Sequence, residues 1–143
     1  MRWLISATIG ILLGFAPPAQ AAPKTLEGSW TAAAAEREGK ADPDVMGHRL
    51  SVAGKDFKVR SKHGKLLFAG RLRTDPQAKP ATIDFEHKEG ALQGKAWKGI
   101  YVLDGDTLKI CDNAANLAKG RPAAFEANGG SGYVLITFRR VKP

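Results

Sequence analysis

Apolar and polar residues alternate with a period of two along most of the chain beyond residue 25, the spacing of strands with one buried face. The clearest stretch is Leu50-Ser51-Val52-Ala53, then Gly54-Lys55, then Asp56-Phe57-Lys58-Val59-Arg60. Glycine tolerates positive φ at the first position of a two-residue type II′ turn, so this reads as a hairpin. The register that keeps one apolar face across the turn pairs Val52 with Phe57 and Leu50 with Val59. Arg49, Ser51, Lys58 and Arg60 then share the opposite face. A second hairpin is read from Gly99-Ile100-Tyr101-Val102-Leu103 and Asp106-Thr107-Leu108-Lys109-Ile110-Cys111, joined at Asp104-Gly105, a type I′ signal. Its predicted register pairs Tyr101 with Leu108 and Leu103 with Asp106. Tyr101, Leu103, Leu108 and Ile110 share one face; Val102, Thr107, Lys109 and Cys111 share the other.

Further strands are expected at Leu26–Ala34, despite its run of alanines, and at Leu66–Arg73, Ala81–His87 and Val134–Arg140. Asp42 and Pro43 predict a short helical turn to Met46, and Lys119–Ala124 reads as a connecting loop. About eight short strands at roughly ten-residue spacing indicate an antiparallel barrel or sandwich. No helical pattern alternates with them, which excludes a parallel sheet. The inward set of a barrel would be Trp30, Leu50, Val52, Phe57, Val59, Phe68, Leu72, Phe85, Tyr101, Leu103, Leu108, Ile136 and Phe138. So many large side chains predict a mostly solid interior, with at most a shallow pocket at the open end.

Composition narrows the class. A chain of 143 residues with 43 % hydrophobic content is one globular domain and is too apolar for a disordered chain. Met1-Arg2, the apolar run Trp3–Phe15, Pro17-Pro18 and Ala19-Gln20-Ala21 form the pattern of a secretory signal peptide, residues 1–21. The folded domain would then be residues 22–143, in an exported protein, periplasmic or extracellular. The run is shorter than the ~20 apolar residues a spanning helix needs, and it holds no Cys for a lipid anchor, so no stable membrane anchor is expected. Removing Arg2 lowers the formal charge from +8 to +7.

Gly28-Ser29-Trp30 on the first strand and Arg140 on the last become neighbours if the barrel closes. An Arg over an indole face gains cation–π energy, and Gly28 leaves room for close approach. This combination resembles the lipocalin-like (calycin) signature. A longer resemblance follows in order along the chain. It comprises Leu26-x-Gly28-x-Trp30, Glu36-x-x-Gly39-Lys40, Pro80-x-x-Ile83-Asp84 and Gly99-Ile100-Tyr101-x-Leu103-Asp104-Gly105-Asp106-Thr107-Leu108-Lys109-Ile110-Cys111, then Arg121-Pro122-x-x-Phe125 and Arg139-Arg140. These segments resemble a small, exported bacterial lipocalin-like domain family of unknown function, abundant in planctomycetes. Thr31–Ala35 is plainer than that family's usual first strand. The resemblance implies an eight-stranded, up-and-down lipocalin-like barrel and no catalytic residues.

The remaining chemistry is sparse. Asp84, Asp104 and Asp106 could form a carboxylate pair or a cation site, but Asp104 and Asp106 flank Gly105 as turn residues do. Cys111, the single cysteine, excludes an internal disulfide and reads as a small buried hydrophobe at a strand end. His48, His63 and His87 lack metal spacing and read as surface residues, so no metal and no cofactor is expected. Arg121 either meets a ligand carboxylate at the barrel mouth or, beside Pro122, pins a loop. Lys55, Lys58, Arg60, Lys62, Lys65, Arg71 and Arg73 form the densest positive face. Phe57 and Phe68 point away from it, against nucleic-acid binding. The reading is a monomeric, non-enzymatic module for a small apolar or amphipathic ligand, with Tyr101, Arg121, Phe57, Phe68 and Phe85 as candidate contacts. The alternative is an envelope interaction or inhibitor module that uses the basic Lys55–Arg73 exterior around a filled barrel. An open apolar cavity of a few hundred Å³ would favour the first.

Overall fold

The computed structural model describes Gly14 and residues 25–142; apart from Gly14, the expected signal peptide lies outside the described residues. Nine strands follow in order: β1 (Gly28–Arg37), β2 (Lys40–Ala41), β3 (Arg49–Ala53), β4 (Asp56–Arg60), β5 (Leu66–Asp75), β6 (Ala81–Glu89), β7 (Ala96–Asp104), β8 (Thr107–Asp112) and β9 (Val134–Arg140). β2 is a two-residue strand paired only with the end of β1. The other eight form a closed antiparallel ring, β1-β3-β4-β5-β6-β7-β8-β9, shut by the β1–β9 pairing. This is the up-and-down lipocalin-like barrel that the strand pattern and the resemblance imply. Closure leaves none of the eight with an unpaired edge.

The β3–β4 hairpin has the expected register, Val52 against Phe57 and Leu50 against Val59. Gly54 takes φ 59° while Lys55 is not in the positive region, the signature of a type II′ turn. The β7–β8 hairpin differs from expectation. Leu103 pairs with Leu108 and Tyr101 with Ile110, so the two-residue loop is Gly105-Asp106, not Asp104-Gly105. Gly105 has φ 58° and Asp106 does not, so this turn is again type II′ rather than I′. The positive φ required at its first position draws glycine there. The change moves the register by two residues, so every side chain keeps its predicted face. A pair with both φ positive, as type I′ requires, occurs instead at Glu38 (54°) and Gly39 (73°), between β1 and β2.

β1 begins at Gly28 and runs three residues beyond the expected end, through a bulge between Ala32 and Ala34 opposite β9. The bulge inserts one residue and returns Ala35 to the inside, where it is buried like Trp30 and Ala32. The alanine run therefore forms strand, with side chains small enough to pass through the irregularity. No helix forms at Pro43–Met46. Asp42 does cap a turn there, its Oδ1 accepting the Asp44 amide at 3.2 Å. The whole predicted inward set lies in or against the core, joined by Ala32, Ile83, Ile110, Leu26, Val45 and Trp97.

A second, smaller core lies outside the barrel. Residues 113–133 fold back over the outer faces of β6, β7 and β8 and bury Ile100 and Cys111, which point away from the barrel axis. Arg121 anchors this loop, donating from Nη1 to Asp84 Oδ1 at 2.6 Å and to the Gly99 carbonyl at 2.7 Å. A Cβ on Gly99 would lie 2.8 Å from the Cys111 carbonyl, so the close β7–β8 approach here requires glycine. Asn113 completes the anchor, accepting from the Lys98 amide at 2.9 Å and donating to the Lys119 carbonyl at 2.7 Å.

Candidate functional site

The two ends of the barrel carry different chemistry. At one end the chain enters through residues 25–27. Trp30 is fully buried there and donates from Nε1 to the Leu26 carbonyl at 2.9 Å. Arg140 lies over the indole with its guanidinium carbon 4.2 Å from the ring centroid, as the closure argument expects. It also donates to the carbonyls of Glu27 (2.6 Å) and Thr25 (3.0 Å) and pairs with Asp106 at 3.3 Å. A Cβ on Gly28 would come within 3.2 Å of the Arg140 Nη1. Outside this seal lies a basin of about 530 Å³ bordered by polar and apolar side chains, among them Glu27, Lys55, Arg73, Glu86, Leu72 and Tyr101. Burial, with Asp75 nearby, pushes the Tyr101 hydroxyl above its ordinary pKa.

At the opposite end a cavity of about 340 Å³ reaches into the barrel. Leu50, Val59, Phe68, Phe85, Trp97, Ile110, Ile136 and Phe138 line it, and Arg37, Asp44, His48 and Asp112 border it. Its volume lies within the usual range for small-molecule sites, whose walls are mostly apolar with a few placed polar groups. The interior is therefore less solid than its large inward residues predict. The aromatic side chains meet edge to face on one side of the barrel and leave the space beside them open.

That aromatic wall is continuous. Phe57 meets Phe85 at 5.1 Å between centroids, Phe68 meets Trp97 at 4.8 Å, and His87 meets Trp97 at 4.3 Å, all edge to face. His87 is thus a core residue, 1 % exposed, and not the surface residue expected. Its place in phase with Ile83 and Phe85 on β6 is the signal that puts it inside. Neither of its ring nitrogens nor the Trp97 Nε1 has a hydrogen-bond partner, and all three are closed to solvent. The rings of Phe57, Phe68 and Trp97 meet His87 edge to face. Desolvation lowers the His87 pKa, which favours the neutral imidazole.

The cavity rim holds the most perturbed acid. Asp112 is 4 % exposed, and burial pushes its carboxyl up to about 7, against the Ala114 amide hydrogen bond (3.0 Å) and the Arg37 charge. Arg37 itself is bound at 2.9 Å by Asp42. Burial lowers the His48 pKa, with Asp42 and Asp44 acting against it.

The candidate contacts are thus dispersed. Phe68 and Phe85 line the apolar cavity, while Phe57 is packed behind them in the core. Tyr101 faces the polar basin at the sealed end. Arg121 borders neither space; it sits on the outer wall with Asp84 and fixes the 113–133 loop. Of the signature residues, Asp84, Gly99, Cys111 and Pro122 build the outer core, while Gly28, Trp30, Asp106 and Arg140 build the seal. Asp104 and Gly105 shape the β7–β8 turn. Asp84 and Asp106 belong to separate ion pairs. Cys111 is buried and free, its thiol pushed up to about 11 by desolvation, and it donates weakly to the Glu126 carbonyl at 3.5 Å. The sequence reading missed Trp97, His87 and Asp112. For Trp97 the available signal was phase, since it shares parity with Gly99 and Tyr101. Among the described residues no cluster of three or more His, Cys, Asp or Glu side chains is placed to hold a metal ion.

Fold and site together define a closed β-barrel with one sealed end and one apolar, rim-charged cavity. The chain matches no protein-family model, no curated protein and no solved structure.

Proposed function

We propose that this protein is a non-enzymatic binding module that seats a small apolar or amphipathic ligand in the open-end cavity. The carrying observation is the cavity itself: about 340 Å³ with an almost wholly apolar wall of Leu50, Val59, Phe68, Phe85, Trp97, Ile110 and Phe138. Apolar burial would supply the affinity, and Arg37, Asp44, His48 and Asp112 would meet a polar group left at the mouth. The signal-peptide pattern of residues 1–21 and the resemblance to an exported bacterial lipocalin-like family support export to the periplasm or beyond, where the protein would act as a monomer. The aromatic wall takes no part in acid–base chemistry in this reading. His87 and Cys111 both lie buried away from the mouth, and desolvation disfavours the charged form of each.

The test is native mass spectrometry of protein purified from its source cells, alongside titration with anilinonaphthalene sulfonate. A co-purifying small molecule, or probe binding that Val59→Phe abolishes while the fold is kept, supports the reading. An empty protein whose probe binding is untouched by Val59→Phe refutes it.

A further inference from the structure

The arginines are not matched evenly around the barrel. On the outer face of β5, β6 and β7 the arginines are matched: Arg71 with Asp56 (3.9 Å), Arg73 with Glu86 (3.1 Å) and Arg121 with Asp84 (2.6 Å). Within the basic stretch Lys55–Arg73, Arg71 and Arg73 are matched and Lys58 and Arg60 are not. On the other half of the barrel, formed by β4, β3, β1, β9 and β8, three arginines, Arg49, Arg60 and Arg139, lack a carboxylate partner, while unmatched lysines occur on both halves, Lys98 of β7 included. Among the described residues, Arg49, Lys58, Arg60, Lys109 and Arg139 have no carboxylate within ion-pair distance. All but Arg60 are exposed, and Arg60 donates to the Gly64 carbonyl at 3.1 Å.

Strand register sets these residues in a row across the strands. Arg60 pairs with Arg49, Arg49 with Thr31, Thr31 with Arg139, and Arg139 with Thr107. Like charges directly opposite one another in a sheet are destabilising. The Arg60–Arg49 pair thus has a cost that no neighbouring acid offsets. Hydroxyl side chains occupy the places between, with Ser51 beside Lys58 and Thr137 beside Lys109.

We propose that this half of the barrel exterior docks a linear, carboxylated polysaccharide. Guanidinium groups bind carboxylates in bidentate fashion, and interspersed hydroxyls suit sugar hydroxyls. The competing polyanions fit less well. Among the described residues the exposed large apolar side chains are Met46, Leu66 and Val102, none of them on these five strands, so these strands offer no apolar side chain to insert into a lipid surface. No aromatic on this face offers a stacking platform for single-stranded nucleic acid. The barrel exterior is convex, so a stiff duplex would touch it along one line only, whereas a flexible glycan can follow it. This surface is independent of the cavity, and its occupancy does not require a bound ligand.

The experiment compares two double variants of equal net charge, Arg49→Gln/Arg139→Gln and Arg71→Gln/Arg73→Gln, for binding to polygalacturonate by titration calorimetry at low salt. The first pair is expected to lose affinity about tenfold or more and the second about twofold or less, because only the first removes unmatched cations. Equal losses would mean that bulk charge alone drives binding and would overturn the proposal. Tighter binding of the unsubstituted protein to duplex DNA or to phosphatidylglycerol vesicles than to polygalacturonate would overturn it as well.

Discussion

At one end of the barrel, Arg140 ties the incoming segment, the first strand, the last strand and the β7–β8 turn together through four named contacts. At the other, Arg37, Asp44, His48 and Asp112 ring an opening that no side chain fills. Both ends have charged groups beside a tryptophan-bearing core, yet they are satisfied differently. Trp30 gives its N–H to a carbonyl and its face to a cation, while the Trp97 Nε1 has no hydrogen-bond partner. A fully partnered indole packs without space around it. A half-buried indole against an aromatic wall leaves room beside it. The contrast puts the closely partnered indole at the sealed end and an apolar space inside the barrel at the open one.

The sharpest way to break this contrast is to truncate both indoles. Trp30→Ala is expected to cost ~3–5 kcal/mol, since it removes a fully buried side chain together with its hydrogen bond and its cation. Trp97→Ala should cost roughly half as much, because Trp97 is only partly buried and borders a cavity. Urea unfolding measures both, and equal losses would erase the distinction between the ends.

The next effect comes from the rim. The Asp112 carboxyl sits at about 7 when folded, above the ordinary carboxylate range of the unfolded chain. The folded state therefore holds this proton more tightly. The stability it contributes is complete below about pH 4 and is lost as pH rises toward about 7. Asp112→Asn keeps an oxygen to accept the Ala114 amide and removes the titration. It should raise stability at pH 8 by an amount on the order of 3 kcal/mol and flatten the loss between pH 4 and 7. His87 acts in the opposite sense. Its pKa is lowered by burial, so its contribution is present above the ordinary imidazole value and is lost as pH falls below it. Thermal melts of the Asp112→Asn protein across this range would then show only the acid-side loss.

Smaller again is Arg140→Gln, which removes the cation from the indole and the guanidinium donors from the Thr25 and Glu27 carbonyls. A loss of about 1–2 kcal/mol is expected, with faster amide exchange confined to the sealed end. Exchange that quickened at the 113–133 loop instead would show that the two ends are not independent. The smallest change in stability should come from Val59→Phe. Filling the cavity should shift unfolding by less than about 1.5 kcal/mol, because the new ring enters existing space. A larger loss would mean that the open end is already packed to capacity.

Much of this architecture was legible from the chain. The period of two assigned every residue of the inward set to the core, and the Gly54 turn fixed the β3–β4 register. Where the β7–β8 register differed, the cause was local: positive φ at the first loop position selects Gly105, and sliding by two residues leaves the faces unchanged. Trp30 and Arg140 could be paired from opposite ends of the chain because closure makes first and last strands neighbours. The site was less legible. Beside Pro122 in the sequence, Arg121 fits either a mouth cation or a loop pin, and only the fold of residues 113–133 sets it against Asp84. His87 resembled the other two histidines in composition and differed only in phase.

Outside the β1 bulge that turns Ala35 inward, the sequence by itself determined which residues face inward, because alternation is a property of a single strand and survives any shift of register by two. It also determined that the strands are antiparallel and that the first and last could meet. Only the tertiary structure decided where space remains, since the volume inside a barrel depends on how rings from different strands pack edge to face. It alone decided which cations are matched, because ion pairs across the exterior join residues far apart in the chain. It alone placed Asp112 at the cavity rim, where desolvation imposed by neighbouring strands and the 113–133 loop raises its pKa.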